Sequence, residues 1–177
     1  MRSLILTGAL GAGKTTLQRA LVERHEFWSP ATVTTRSVDP NELDVIGVSQ
    51  DEFRSGVVAR RFVLPAKFGG NWYGWRHNDL ARICSKSPKP AVANVRPYTA
   101  LLLSALIENS VPVWIWVEQS ELERRRAERA AARDEINSER LHEDHNDKDF
   151  EDLFLERVRS DDHALKKLLN ISKGPAQ

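Results

Sequence analysis

The feature that most constrains this chain is a glycine-rich loop near its N-terminus, where residues 8–15 read GALGAGKT. The apolar run at 4–7 precedes the loop and is typical of a buried strand, and the segment 17–22 follows it with a helical pattern. Glycines let the backbone turn several N–H groups toward one anion, and a helix N-terminus adds its positive dipole end. A strand, this loop and a helix in that order are the context that a phosphate-binding P-loop requires. The sequence therefore predicts a nucleoside triphosphate site in an α/β fold.

Two side chains in this loop predict specific contacts with the triphosphate. Lys14 can reach the β- and γ-phosphates, and the hydroxyl of Thr15 can bind Mg²⁺. A plain glycine-rich turn between a strand and a helix is the alternative interpretation. The positions expected to hold the triphosphate are Gly8, Gly11, Ala12, Gly13, Lys14, Thr15 and Thr16.

Length and composition narrow the class of protein. The 177 residues are enough for one α/β domain with a real core, and 41% of them are hydrophobic. A net charge of +1 gives no strong field for nucleic acid or for a membrane surface. No apolar run approaches the ~20 residues of a membrane span. Met1 leads almost directly into the first strand, so we expect no leader peptide, and Cys84 as the lone cysteine fits a reducing cytoplasm.

Hydrophobic periodicity predicts strands that alternate with helices. Such alternation is typical of a mostly parallel sheet with right-handed crossovers. Strand patterns fall at 4–7, 31–35, 57–66, 71–75, 91–95, 111–117 and 153–158. Helix patterns fall at 17–22, 80–85, 98–108, 120–133 and 162–170. A further helix is predicted to start at 49, and a second polar helix follows 120–133 and extends to about 144.

Two regions interrupt this alternation. The segment 34–75 is rich in strand patterns, with a hairpin signal at Gly69-Gly70, and the segment 121–149 is polar and rich in arginine. Because ligands of open α/β sheets lie beyond the strand C-termini, these insertions are expected to form a second-substrate pocket and a lid.

Several further motifs follow the P-loop in a fixed order. They are Thr34-Thr35-Arg36, Val48-Ser49-x-x-Glu52-Phe53, Asn71-Trp72-Tyr73-Gly74, the strand that ends at Asn94, Glu121-Leu122-x-x-Arg125-x-x-x-Arg129 and Ile136-Asn137-x-x-Arg140-Leu141. Together they resemble the guanylate-kinase-like branch of the P-loop kinases over nearly the whole chain.

The resemblance implies one domain with the three-layer sandwich of P-loop NTPases and a parallel sheet core. The core would comprise 1–33, 76–120 and 150–172, with an acceptor-binding insertion at 34–75 and a helical lid at 121–149. It implies ATP and Mg²⁺ as cofactors and a small phosphorylated acceptor as substrate.

The same resemblance assigns roles to individual residues. Ordinary surface arginines, a solvated charged helix and plain loop carboxylates are the alternative interpretations of these positions. The expected catalytic set is Lys14, Arg36, Arg129 and Arg140; Arg125 is expected to contact ATP; and the expected acceptor contacts are Thr34, Arg36, Asp39, Glu42, Tyr73, Trp75, Asn94 and Arg96.

Four positions depart from the guanylate kinase pattern. Asp39 stands where that family has a second arginine, and Val45 stands at a tyrosine that contacts the acceptor phosphate. Leu64 replaces the glutamate that reads the guanine edge, and Trp75 replaces a serine. A site that reads a base through hydrogen bonds can discriminate by ~10⁴ or more, and leucine cannot supply those bonds. We therefore expect a nucleoside monophosphate other than GMP as acceptor.

Other functions stay open at this point. The ribose bisphosphate phosphokinases are similar too, since Asn94-Val95-Arg96 partly matches their signature and the length from Arg36 to Ser49 fits without a gap. A non-catalytic interaction module is a third hypothesis, although the intact Lys14-Thr15 pair argues against it. A GTPase ranks low because residues 146–149 have the wrong order for a guanine-reading motif. A homodimer is a further expectation.

Overall fold

The computed structural model describes residues 1–38, 44–84, 89–132 and 148–174, and it leaves the side chains of 129–132 and 148–149 outside the description. Several sequence predictions therefore fall outside the described residues. These are the loop carboxylates Asp39 and Glu42, the polar helix that extends to about 144 and Arg140, while Arg129 is described for its backbone only.

The described elements follow the predicted order of strands and helices, with one further strand, Val45–Gly47, that no pattern predicts. The strands are β1 (Ser3–Thr7), β2 (Thr32–Thr34), β3 (Val45–Gly47), β4 (Phe62–Phe68), β5 (Asn71–Arg76), β6 (Val92–Asn94), β7 (Ser110–Trp116) and β8 (Glu156–Arg159). The helices are α1 (Lys14–Arg24), α2 (Gln50–Val58), α3 (His77–Cys84), α4 (Pro97–Leu106), α5 (Gln119–Ala132) and α6 (Ala164–Lys173), with a 3₁₀ turn at Lys148–Leu153.

A parallel four-stranded sheet of order β6-β1-β7-β8 forms the centre of the fold. Side chains alternate across it, so that Leu4 and Leu6 pack toward α1 and α6 while Ile5 and Trp114 pack toward α4. Both faces of the sheet are therefore buried, which explains the near-continuous apolar runs of β1 and β7. This three-layer α/β arrangement confirms the fold class expected from the sequence.

A second four-stranded sheet, of order β3-β2-β5-β4, carries the segment expected to bind the acceptor. β2 and β3 are parallel, and the other pairs are antiparallel. The predicted hairpin is confirmed: Phe68 pairs with Asn71 across Gly69 and Gly70, which have φ of 52° and 74°. Two central residues with positive φ are typical of the type I′ turn that matches strand twist.

Two strand boundaries predicted from the sequence are wrong. The strand predicted at 153–158 is β8, which begins only at Glu156 because a 3₁₀ turn occupies the chain up to Leu153. The second discrepancy lies between α2 and β4. The pattern predicts a strand at 57–66, but Val57 and Val58 form the last turn of α2, and β4 begins at Phe62. The reason is local, because α2 begins with a capping box in which Ser49 and Glu52 bond each other's backbone N–H groups. A helix nucleated there continues through both valines, since tertiary packing of Phe53 outweighs their β-propensity.

Among the residues described, no helix is both long and apolar enough to cross a bilayer.

Candidate active site

The glycine-rich loop joins the buried end of β1 to the first turn of α1. Gly13 caps the helix with φ of 95°, and the N–H of Ala12 donates to the carbonyl of Ala9 at 3.1 Å. The ammonium group of Lys14 folds over the loop and donates to the carbonyls of Gly8 and Ala9 at 2.6 and 2.8 Å. A loop of this shape presents a cation and a helix N-terminus to one small volume, which suits an anion.

Asn94, at the C-terminal end of β6, lies beside the start of α1. Its side-chain amide donates to the hydroxyl of Thr15 at 3.2 Å. β6 is the direct neighbour of β1 in the sheet, and this register places the two residues at one edge. The hydroxyl oxygen and the amide oxygen are hard ligands of the kind that Mg²⁺ accepts.

Helix α5 lies against the loop and contributes two arginines. Arg125 donates to the carboxylate of Glu121 at 2.6 Å, and its Nη2 lies 3.4 Å from the carbonyl of Ser160. Arg126 donates from Nε to the carbonyl of Leu10 at 2.9 Å. The loop is therefore held between strand β1 and a cationic helix surface.

Glu121 organises the cations on α5. Its carboxylate accepts hydrogen bonds from Arg124 and Arg125, and these bonds lower the pKa of Glu121 to about 2. The carboxylate therefore stays ionised throughout the neutral range, and it fixes the Arg125 side chain next to the loop.

The second sheet supplies the other wall. Arg36 donates to the carbonyl of Ser37 at 2.9 Å, and its backbone N–H lies 3.3 Å from the hydroxyl of the fully buried Thr34. Trp75 is 6% exposed, and its indole N–H donates to the hydroxyl of Thr32 at 3.3 Å. Trp75 thus forms a rigid wall, since its polar atom is already satisfied inside the protein.

A cation–aromatic contact joins the two sheets. The guanidinium carbon of Arg96, which caps α4, lies 3.7 Å from the ring centroid of Phe68 at the hairpin tip. The rings of Phe68 and Tyr73 are tilted with centroids 6.3 Å apart. The β6–α4 junction of the core therefore touches the second sheet directly.

One cavity of about 1180 Å³ connects the loop with the second sheet. It brings together most of the residues that the sequence predicts for the site: Gly8, Gly11, Gly13, Lys14, Thr15, Thr16, Arg36, Tyr73, Trp75, Asn94, Arg96 and Arg125. Ala12 and Thr34 are fully buried and do not line it. Both residues support neighbouring parts of the site: Ala12 packs in the core, and the Thr34 hydroxyl accepts a hydrogen bond from the Arg36 backbone N–H.

Sequence reasoning missed several residues of this cavity. Lys67 and Phe68 come from a strand end that carries no motif, and Arg126 reaches the loop only through the packing of α5. Ser160 follows β8 at the edge of the same sheet that holds the loop. The position of polar residues after a parallel strand is a signal that could have found Ser160, Asp161 and Asp162.

The cavity is cationic. The charged side chains on its wall are the cations Lys14, Arg19, Arg36, Lys67, Arg96, Arg125 and Arg126 and the carboxylates Asp44, Glu128, Asp161 and Asp162. An excess of cations on both walls suits two phosphorylated ligands side by side.

A strand, a P-loop and a helix at one edge of a parallel sheet, with a second sheet facing them, define a P-loop kinase fold. The guanylate kinase of Anaplasma phagocytophilum superimposes with a TM-score of 0.75 over 97% of this chain and 84% of that chain, at 19% identity. The guanylate kinase of Chlamydia caviae is 34% identical over 142 residues, which are 77% of this chain and 69% of that protein. A guanylate kinase of Synechococcus elongatus is 38% identical over 77 residues, which cover 41% of this chain and 42% of its own length.

The family model described as guanylate kinase matches residues 1–168. The chain therefore belongs to the guanylate kinase family, and it is a phosphotransferase of the nucleotide kinase type. This agrees with the resemblance carried by its motifs.

Proposed function

We propose that this chain transfers the γ-phosphoryl group of Mg-ATP to a nucleoside monophosphate other than GMP. The observation that carries the proposal is the cationic cavity, which joins the P-loop to a second wall lined by Leu64. By the resemblance of the motifs, Leu64 occupies the position of the guanine-reading carboxylate. Direct transfer between two bound phosphates needs positioning and charge neutralisation rather than a covalent enzyme intermediate.

The P-loop side of the cavity is the proposed ATP site. Lys14 exchanges the carbonyls of Gly8 and Ala9 for the β- and γ-phosphates, because a phosphate is the stronger acceptor for an ammonium group. Arg125 lies beside Gly13, where an added Cβ atom would be 3.3 Å from its guanidinium, and it contacts the nucleotide from the α5 side. Arg126 steadies the loop through Leu10.

The pair of Thr15 and Asn94 is the proposed metal position. Neither residue carries a charge, so the ion would rest on the Thr15 hydroxyl, phosphate oxygens and water, as Mg²⁺ commonly does. Mg²⁺ bound there would neutralise charge on the transferring phosphates. Asn94 orients the Thr15 hydroxyl from the neighbouring strand.

Arg36, Tyr73 and Arg96 are the proposed acceptor contacts. The two guanidinium groups offer planar forks to an anionic phosphate, and Tyr73 offers a hydroxyl from β5. Arg129 and Arg140 as lid cations, and Asp39 and Glu42 as acceptor contacts, stay predictions.

The wall beyond these cations supports an acceptor other than GMP. Val63, Leu64 and Trp75 line it, and Leu64 stands at the position of the guanine-reading carboxylate. The indole N–H of Trp75 is committed to Thr32. A guanine placed against this wall would leave its N–H donors unpaired, which would weaken its binding and so discriminate against GMP.

A phosphosugar of the ribose bisphosphate type is the second candidate. It is favoured by Lys67, which adds a third cation to Arg36 and Arg96 on the acceptor side of the cavity. Three cations suit an acceptor with two phosphate groups. Because Trp75 already fills the apolar wall, the acceptor does not need a base to cover that wall.

A coupled assay of ADP release tests the proposal. Mg-ATP is supplied with each common ribo- and deoxyribonucleoside monophosphate, ribose phosphates and ribose bisphosphate in turn. We expect turnover with a non-guanine monophosphate, and loss of that turnover in Lys14→Ala with an unchanged melting temperature. Turnover with ribose bisphosphate alone would replace the first candidate by the second. Full activity of Lys14→Ala would refute the ATP site.

A further inference from the structure

A second groove, separate from the cavity just described, lies on the outer face of the second sheet. It has a volume of about 760 Å³, and its lining includes Arg60, Arg61, Arg76 and His77. Side chains alternate along β5, so that Trp75 faces the active-site cavity while Arg76 points to the opposite side. The two sites therefore share one strand but open on different faces.

The backbone brings the cations of this groove together. Phe62 pairs with Arg76 across β4 and β5, and the N–H of His77 is directed at the carbonyl of Arg61 at 3.4 Å. The residues just before β4 therefore lie next to the residues that end β5. Within the described ranges, the guanidinium groups of Arg60, Arg61 and Arg76 have no hydrogen-bond or ion-pair partner.

Glu52 is the acidic residue among those that line the groove, and it is already engaged. Its carboxylate accepts from the N–H of Ser49 at 2.7 Å, and that hydrogen bond lowers its pKa. The capping carboxylate thus neutralises the N-terminus of α2 rather than the arginines at the other end of the helix.

Arg60 occupies a backbone position that favours glycine. It has φ of 52°, and it follows the C-cap of α2. The N–H groups of Arg60 and Arg61 donate to the carbonyls of Val57 and Gly56 at 2.9 and 2.8 Å, which is the pair of hydrogen bonds of a Schellman motif. Glycine would remove the steric strain there, so an arginine at this position destabilises the helix end.

From these observations we propose that the groove is a binding site for a small molecule that carries a diphosphate group. Three guanidinium forks exceed what one phosphate can occupy, and two linked phosphates can be met from both chain segments. Val33 and Phe62 give the groove an apolar floor next to the cations. The chain's net charge of +1 provides no wider basic field, which favours a small anion over a nucleic acid.

Calorimetric titration with inorganic pyrophosphate tests this site, using the full chain. The wild type is expected to bind two equivalents, one at the P-loop and one in the groove. Lys14→Ala should lose the first, whereas the double variant Arg61→Gln/Arg76→Gln should weaken the second at least about tenfold. Arg54→Gln is the matched control, since Arg54 is exposed on α2 and pairs with Asp51 at 3.7 Å.

Arg60→Gly separates binding from folding. This variant should weaken the groove site while its melting temperature stays equal to that of the wild type or rises, because the strained φ is relieved. Competition with ADP then identifies the source of the diphosphate group: displacement of pyrophosphate from the groove in Lys14→Ala indicates a nucleotide, and no displacement indicates inorganic diphosphate.

Two results would overturn the proposal. One is a single equivalent in the wild type that Lys14→Ala abolishes. The other is a groove affinity in the double variant and in Arg60→Gly equal to that of Arg54→Gln. Because the site is read in Lys14→Ala, failure here is distinguishable from failure of the proposed phosphoryl transfer.

Discussion

The close approach of the P-loop to strand β7 predicts different effects for alanine at two glycines of the same loop. Gly8 and Gly11 both have positive φ, 128° and 93°. A Cβ atom on Gly8 would lie 2.1 Å from the carbonyl oxygen of Ile115, which is backbone of the central sheet. A Cβ atom on Gly11 would meet side-chain atoms of Arg126 and Leu122 at 3.4 Å, which is ordinary contact.

The magnitudes follow from these distances. Each substitution places a non-glycine residue in a sparsely populated backbone region, which costs about 1–3 kcal/mol. Gly8→Ala must also displace the backbone of β1 or β7, and forced overpacking adds about 1–3 kcal/mol. The two variants should therefore differ by about 2 kcal/mol, which corresponds to a melting temperature about 4–8 °C lower for Gly8→Ala in a chain of this size.

Thermal denaturation followed by circular dichroism measures this difference in melting temperature. Binding of a fluorescent ATP analogue then reports on the loop in each variant. Gly11→Ala is the matched control, because it carries the backbone strain without the contact to Ile115. Equal melting temperatures for the two variants would refute the close approach of the loop to β7. They would also remove the reason why the first loop position has to be glycine.

Three further predictions each change a single charge in the cavity or next to it. Asn94→Asp puts a carboxylate beside the Thr15 hydroxyl, so the Mg²⁺ concentration for half-maximal activity should fall several-fold, and an unchanged Mg²⁺ requirement would argue against a metal at this edge. Because the hydrogen bonds from Arg124 and Arg125 lower the Glu121 pKa from 4.5 to about 2, the stability they confer is complete above pH 4.5 and is lost as the pH falls toward 2. Glu121→Gln should weaken this pH dependence of the free energy of unfolding, measured by denaturant titration at pH values between 2.5 and 6. A pH dependence equal to that of the wild type would contradict the assignment. Leu64→Glu should raise kcat/KM for GMP at least ~10-fold, with an unaltered GMP rate as the contrary result.

Local sequence signals were enough to predict the strands of the central sheet. The apolar run of β1, the glycine-rich loop and the pattern of α1 are contiguous, so each supports the next without long-range information. The two-residue turn at Gly69 and Gly70 was equally local. The pairing of β2 with β3 and β5 was not, because a three-residue strand pattern does not specify which sheet it joins.

The candidate site was predictable where residues belong to motifs and not where packing alone brings them in. Lys14 and Thr15 could be assigned from spacing, whereas Arg126 reaches Leu10 across 116 residues of chain. The contact of Arg96 with Phe68 joins two sheets whose mutual arrangement no local pattern encodes. The roles of half-buried residues such as Arg96 and Arg126 can be assigned only when the fold is known.

Acceptor choice tests the central claim most directly. The protein would be incubated with ATP labelled in the γ-phosphate, Mg²⁺ and an equimolar mixture of GMP, the other nucleoside monophosphates and ribose bisphosphate, and the labelled products would be separated. With Leu64 and Trp75 on the acceptor wall, we predict that label enters a product other than GDP. Label that accumulates in GDP ahead of every other product would contradict the account, because it would mean that guanine is read without the carboxylate.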